Sequence, residues 1–247
     1  MEHQITHGPS FALLQIGLEH GEEIRCESGA MVAMSADLDL SAKMNAPEDS
    51  GFFGRAFGAA KRAALGGESF FITTIAAKSG PGQVDLAPAT PGDIYPWEMI
   101  GIPLLVQGGS YLASGPDVAI DVNWGGLKSL MGGEGLFFLR AEGRGALFLA
   151  SFGGISRRDL APGEKWVVDS GHLVAFEEGI AMETRLATGT GSGGFFSRAV
   201  TSATTGEGLV MEFTGPGTVL MQTRNPEAFS GWIKTLIPEI TNNSSGQ

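Results

Sequence analysis

The sequence is short of cysteine, of basic residues and of long apolar stretches, and each shortage excludes a class of protein. Its single cysteine, Cys26, rules out an intrachain disulfide framework and any CxxC-type metal or redox site. Lysine and arginine number 16 against 27 aspartates and glutamates, which gives a net charge of −11. Because phosphate contacts need a basic face, this balance argues against nucleic acid as a partner. The longest hydrophobic run, around residues 146–155, is too short to span a bilayer.

The N-terminal residues do not have the character of a targeting signal. They are polar and acidic, without the basic start and apolar stretch of a secretory signal. We therefore expect a soluble protein of the cytoplasm.

Glycine, in contrast, is abundant and indicates the fold class. The chain has 38 glycines in 247 residues, about twice the average share. Such a share favours many tight turns, and so many short strands, over long helices. With 43% apolar and 17% charged residues, the chain can bury a sizeable core, which excludes wholesale disorder. The composition predicts an all-β globular fold.

Four motifs recur in the same order three times along the chain. The first is a glycine–acid turn at Gly21, Gly92 and Gly163, at two intervals of 71 residues (92 − 21 and 163 − 92). Each turn is followed by three further motifs, the last of which is a Gly-x-Gly turn before an apolar strand. These motifs are ESGAMVAM at 27–34, QGGSYLAS at 107–114 and DSGHLVAF at 169–176; GESFFI at 67–72, GEGLFF at 133–138 and GEGLVM at 206–211; and GPGQVDL at 80–86, GRGALFL at 143–149 and GPGTVLM at 215–221.

The recurrence predicts three tandem homologous units that pack together. They span about residues 11–85, 86–158 and 159–225, and each is typical of several short strands with glycine corners. A unit of this size exposes much of its core when alone, so the three should share their cores. Residues 1–10 form an N-terminal arm, which we expect to be mobile.

A short helix and a tail should follow the third unit. Asn225 is a favourable N-cap and Pro226 suits the first helical position. The sequence therefore predicts a helix over residues 226–237 that ends before Pro238, and a disordered tail over residues 238–247.

Catalytic motifs are missing, and the most catalytic-looking residues occupy repeated positions. The chain has no HExxH, no P-loop and no G-x-S-x-G motif. Asp169 and His172 could serve as an acid–base pair, and Cys26 as a nucleophile. In the second unit, however, Gln107 and Ser110 occupy the positions of that pair, which indicates the place of a turn. The sequence predicts no catalytic residues, no metal site and no cofactor.

Two segments combine phenylalanines with basic residues. Residues 52–65 can form an amphipathic helix, and residues 194–199 are their counterpart in the third unit. Such a segment can cap one end of the sheet, contact another subunit or lie on a membrane surface. Single-stranded RNA is a further alternative, which the net charge opposes. The candidate interface residues are Phe52, Phe53, Arg55, Phe57, Lys61, Arg62, Phe195, Phe196 and Arg198.

Taken together, the motifs resemble the altered inheritance of mitochondria protein 24 family. The resemblance covers about residues 10–225. It implies a fold like that of the tryptophan RNA-binding attenuation protein, a β-sandwich of the double-stranded β-helix type, with no catalytic residues. Mitochondrial members are associated with inner-membrane organisation, so the resemblance also implies a membrane-related contact. It rests on GGESFF at 66–71, GPGQV at 80–84, PGD at 91–93, VDSGHLVAF at 168–176, GEGLVMEFTGPGTV at 206–219 and QT at 222–223.

The leading hypothesis is therefore a non-enzymatic, self-associating β-sandwich interaction or scaffold protein. We expect it to be a homo-oligomer built from three tandem homologous units with short helices, and able to make a peripheral membrane contact. The alternative is a binding module for a small ligand or RNA, by analogy with the attenuation protein. An enzyme centred on Asp169 and His172 ranks last.

Overall fold

The computed structural model describes residues 1–43, 72–121, 138–186 and 209–236, and these form antiparallel β-sheet with few helical turns. The predicted all-β class is confirmed, whereas the double-stranded β-helix type of sandwich stays a prediction. The phenylalanine-rich segments 52–65 and 194–199 lie outside the described residues, as does the predicted tail.

The N-terminal arm carries a paired strand, so the expectation that it is mobile is wrong. Strand β1 (Glu2–Thr6) runs antiparallel to β2 (Leu13–Leu18) over five residue pairs. The ring of His3 also lies edge-on against Phe148, with 4.9 Å between ring centroids. The strand is mostly exposed and polar, so it lacks the apolar alternation by which a strand is recognised in sequence.

The remaining strands fall into three groups, the third of which begins at residue 155, before the predicted boundary at 159. Gly92 lies before the first strand of its group, whereas Gly21 and Gly163 lie after theirs, so the glycine–acid turn does not recur at an equivalent place in the second unit. The first group after β2 is β3 (Glu23–Glu27), β4 (Met31–Met34), β5 (Asp39–Lys43), β6 (Ile72–Ala76) and β7 (Gly82–Leu86). The second is β8 (Ile94–Ile100), β9 (Leu104–Gln107), β10 (Tyr111–Ser114), β11 (Val118–Asp121) and β12 (Phe138–Ala150). The third is β13 (Ile155–Leu160), β14 (Lys165–Asp169), β15 (Leu173–Glu177), β16 (Ala181–Leu186), β17 (Leu209–Thr214) and β18 (Gly217–Gln222).

The same antiparallel pairings occur in each group. In the first, β7 pairs with β2 and β4, while β6 pairs with β3 and β5. In the third, β18 pairs with β13 and β15, while β17 pairs with β14 and β16. In the second, β12 takes the place of both β6 and β7 and pairs with β8, β10, β9 and β11. The homology of the three units stays a prediction, which superposition of their Cα traces tests.

The Gly-x-Gly motif at 143–145 does not form the predicted turn. In the second unit it lies inside the 13-residue strand β12, where Gly143 and Gly145 have φ of 122° and 118°. Glycine tolerates this backbone conformation, so the strand can bend without ending. The place for a Cβ at Gly143 is also filled, because the carbonyl oxygen of Asp117 on the neighbouring chain segment would lie 2.1 Å away.

Two ladders join one unit to the next. Strand β10 of the second unit pairs with β3 of the first, and strand β15 of the third pairs with β9 of the second. The described strands therefore form three sheets: β1-β2-β7-β4, an eleven-stranded sheet that runs through all three units, and β14-β17-β16. Strand β4 ends the first of these sheets and β14 ends the last.

The core consists of three clusters of buried side chains. The first combines residues of the first unit with Leu112 and Phe148 from the second. The second combines residues of the second unit with Val174 and Leu220 from the third. A third cluster belongs mainly to the third unit and includes Leu105 from the second, with Phe138. Among the described residues, none of these clusters joins the first unit directly to the third.

The starts of the second and third units also touch. Gly92 and Gly153 form an isolated parallel bridge, and Asp93 N–H donates to the Gly153 carbonyl at 2.9 Å. A Cβ at Gly92 would lie 1.7 Å from the carbonyl oxygen of Ser151. The close approach of the two chain segments therefore requires glycine at position 92.

The C-terminal helix α1 (Pro226–Leu236) has the N-cap that the sequence predicts. The side-chain oxygen of Asn225 accepts hydrogen bonds from the N–H groups of Glu227 and Ala228, at 2.9 and 3.2 Å. Two single-turn 3-10 helices, Gly108–Ser110 and Ser170–His172, precede β10 and β15.

Candidate functional site

Asp169 caps a 3-10 turn, as its counterpart in the second unit does. Its Oδ1 accepts a hydrogen bond from Gly171 N–H at 2.8 Å. The side-chain oxygen of Gln107 accepts an equivalent bond from Gly109 N–H at 2.9 Å. The carboxylate therefore satisfies a local backbone donor, which is the function of a turn residue in both units.

His172 holds the third unit together through the backbone. Its Nδ1 lies 2.8 Å from the carbonyl oxygen of Gln222, which as an acceptor requires Nδ1 to carry the proton. The amide of Gln222 in turn donates to the Gly171 carbonyl at 3.0 Å and accepts from Phe152 N–H at 2.8 Å. Asp169 and His172 thus bond to different partners. The geometry favours a structural role, in which these side chains hold neighbouring backbone segments together, and does not favour proton transfer between them.

Loss of the cap should cost the same stability in either unit. We expect Asp169→Ala and Gln107→Ala each to lower the free energy of unfolding by about 1 kcal/mol, because each leaves a turn N–H without its side-chain acceptor. Asp169→Asn retains an acceptor and should cost less. Urea denaturation of the three variants measures this. A loss for Asp169→Ala far larger than for Gln107→Ala would show that the carboxylate has a further role.

Cys26 lies on β3 inside the core. Its side chain has no exposed surface, and its residue pairs with Thr73 on one side and Ala113 on the other. Burial, followed by the charge of Glu27, raises the pKa of the thiol to about 11. A neutral, enclosed thiol is a poor nucleophile, so the geometry gives no support to a catalytic Cys26.

The folded protein should therefore resist thiol reagents. At pH 8 a thiol with a pKa near 11 is deprotonated in about one molecule in a thousand, and burial adds a steric barrier. We expect no colour from Ellman's reagent over minutes with the native protein, and one equivalent per chain in denaturant. Fast stoichiometric labelling without denaturant would contradict the buried position.

No group of three or more histidine, cysteine or acidic residues in the described ranges is placed to hold a metal ion. No helix in those parts of the chain is long and apolar enough to cross a bilayer.

Two consecutive arginines of β13 each lie over a tryptophan ring. Arg157 lies over the ring of Trp97 at 5.3 Å, and Arg158 over that of Trp166 at 4.3 Å. Both guanidinium groups already have acidic partners, at 2.9 Å in Asp159 and 2.7 Å in Glu164. Arg157 also lowers the pKa of the Asp159 carboxyl. Because their charges are already paired, these arginines are weak sites for phosphate, which counts against the RNA alternative.

Apolar side chains are exposed on β4 and β14, each of which ends a sheet. Val32 on β4 is 58% exposed, whereas Leu112 and Val174, which occupy its position in the other units, are fully buried. Val167 on β14 is 55% exposed, whereas Leu105 at the corresponding position of β9 is 3% exposed. We call strands β4 and β14 the open edges, and they form the candidate interaction site.

The difference in burial has a direct structural cause. Strands β10 and β15, the counterparts of β4, each lie between two strands, one from their own unit and one from the preceding unit. In the part of the chain that the structure describes, β4 pairs with β7 and has no second neighbour, and β14 pairs with β17 alone. We call a ladder between strands of two units a junction, and the chain itself completes two of them, β10 with β3 and β15 with β9. The open edges β4 and β14 are the two halves of a third junction of the same kind.

The described residues define an all-β protein whose strand pairings recur three times and whose first and last units carry unpaired strand edges. Residues 3–224 match the Mitochondrial biogenesis AIM24 family, and the chain belongs to that family. An uncharacterized protein of Streptococcus pyogenes serotype M6 is 33% identical over 244 residues, which cover 98% of this chain and 93% of the relative. An X-ray crystal structure of a Streptococcus pyogenes protein is similar at a TM-score of 0.72 and 31% identity, covering 96% of this chain and 99% of that one.

The candidate interface predicted from sequence falls outside the described residues, and the open edges were not predicted. All nine of its phenylalanine, arginine and lysine residues lie in the ranges 44–71 and 187–208. The motif that contains Val32 is apolar in all three units, so the sequence gives no sign that one of the three is uncovered. Only the pairing of the strands identifies it.

Proposed function

We propose that this protein is a non-enzymatic interaction module that associates with itself through strand edges. The observation that carries the proposal is the exposure of Val32, whose counterparts Leu112 and Val174 are buried, together with that of Val167, whose second-unit counterpart Leu105 is buried. Exposed apolar strand edges favour pairing with another chain, and natural proteins usually protect them with charge or proline. Strand β4, with the sequence Met-Val-Ala-Met, carries neither.

The most catalytic-looking side chains support a non-enzymatic function because each already has a structural task. Asp169 caps a turn, His172 holds the backbone of Gln222, and Cys26 is enclosed. None of the three contacts another in a way that would activate a nucleophile.

Self-association is tested by the mass of the protein in solution. We expect sedimentation equilibrium to give a mass above 25.7 kDa that falls on dilution. A mass equal to one chain at every concentration up to the solubility limit would overturn the proposal.

A second candidate function is a peripheral membrane contact, which helix α1 favours. Phe229, Trp232 and Leu236 lie on one side of this helix and are exposed, and Phe229 is anchored on Phe152 at 5.0 Å between ring centroids. An exposed aromatic stripe on a short amphipathic helix suits the interface of a bilayer. Co-sedimentation with anionic vesicles tests it, with Trp232→Asp expected to abolish binding and Lys234→Gln to leave most of it. Absence of binding by the unaltered protein would refute this function.

A further inference from the structure

We infer that the self-association proposed above has one defined geometry: β4 of one molecule pairs antiparallel with β14 of a second molecule of the same chain. The inference rests on the proposed function and adds the identity of the two partners and the register between them. It follows from the two junctions that the chain completes by itself.

The two completed junctions use the same register. At the first, Ala113 lies opposite Cys26 and Ser114 opposite Arg25. At the second, Ala175 lies opposite Val106 and Phe176 opposite Leu105. These residues occupy equivalent motif positions, since residues 113 and 175 fall at the same place in the segments 107–114 and 169–176.

The same rule applied to the open edges fixes the third junction. Residue 33 is the counterpart of 113 and 175, and residue 168 is the counterpart of 26 and 106. The register therefore places Ala33 opposite Val168 and Met34 opposite Val167. This register keeps the residues that lie opposite each other at the same motif positions as in the two completed junctions.

The two open edges are also complementary in character. Strand β4 presents Met31 and Val32, and β14 presents Trp166 and Val167, all exposed. The charged side chain at the start of β14, Lys165, already has a partner, because its Nζ donates to Glu212 at 2.8 Å. Pairing would then bury apolar surface on both strands without leaving a charge unpaired.

A second molecule is the occupant that these observations favour. Each chain offers one edge of each kind, and its own β4 and β14 do not form a ladder within the described residues. Contact between two different surfaces is head-to-tail, and it leaves no edge open where the molecules close into a ring. In a pair of molecules, each would cover both open edges of the other.

The first test uses cysteines placed opposite one another on separate molecules. Protein carrying Met34→Cys is mixed with protein carrying Val167→Cys and oxidised gently, because residues opposite each other on paired strands bring their Cβ atoms close enough for a disulfide. We expect a disulfide-linked dimer of the two variants on a non-reducing gel. Met34→Cys mixed with Lys165→Cys, two residues out of register, is the control and should link several-fold less.

The same pair of cysteines in one chain identifies the alternative occupant. If the double variant Met34→Cys/Val167→Cys forms an internal disulfide at the mass of one chain, and the mixed single variants do not link, the chain closes on itself and the inference is overturned. Equal linking of the in-register and out-of-register mixtures would overturn the register.

The second test separates this inference from the proposed function. We expect Val32→Asp to reduce the sedimentation mass to that of one chain, and Leu40→Asp, an exposed apolar residue on β5, to leave it unchanged. If the unaltered protein is an oligomer and Val32→Asp remains one, the open-edge geometry is wrong while self-association stands. If the unaltered protein is a single chain, self-association itself fails. The cysteine experiment decides the geometry should Val32→Asp not fold.

Discussion

Phe148→Ala should lower the free energy of unfolding by about 4 kcal/mol. Phe148 is fully buried on β12, opposite Ala113 on one neighbouring strand and Pro96 on the other. Its side chain belongs to the cluster that joins the first and second units. Truncation would leave a cavity where the two units share their core, and close packing on both sides limits how far that cavity can collapse.

Phe11→Ala is the matched control for this prediction. It removes the same atoms from a side chain that is 72% exposed, so its effect should stay within about 0.5 kcal/mol. Guanidinium denaturation followed by circular dichroism gives both values. Similar losses in the two variants would mean that Phe148 is not enclosed as the structure has it.

Gly92→Ala should cost about 3 kcal/mol or more, although it adds a single methyl group. The new Cβ would lie 1.7 Å from the Ser151 carbonyl oxygen, which is backbone and cannot rotate aside. The variant must therefore separate the starts of the second and third units, at the place where Gly92 bridges Gly153.

Gly80→Ala provides the comparison, because a Cβ at that glycine meets no atom within 4 Å. Such a change is expected to be neutral or to stabilise slightly by reducing the entropy of the unfolded chain. Thermal melts of the two variants should differ by several degrees. Equal melting temperatures would argue against close contact between the two unit starts.

Features encoded by neighbouring residues were predictable from the sequence. The glycine-rich turns indicate the all-β class, and Asn225 followed by Pro226 indicates where helix α1 begins. The polar strand β1 was missed because its order comes from pairing with β2 rather than from its own pattern. The motif at Gly143 was misinterpreted because the course of the chain there depends on the neighbouring segment at Asp117.

The candidate site shows the same difference between features set by neighbouring residues and features set by distant strands. The structural role of Asp169 could be inferred because Gln107 holds the same position, and the equivalent hydrogen bonds support it. The open edges could not be inferred, because Val32 and Leu112 are equally apolar in sequence. What distinguishes them is the strand on their other side, and that is a property of the whole arrangement of units.

The long strand β12 has a consequence for how the protein loses its structure. Its 13 residues pair with four strands, two towards each end. Among the described residues, β12 therefore joins the two halves of the second unit without a break at which one half could open while the other stays folded. Backbone amides along β12 should exchange with deuterium only when the whole domain opens, and more slowly than those of β6 and β7, where the corresponding strands are separate.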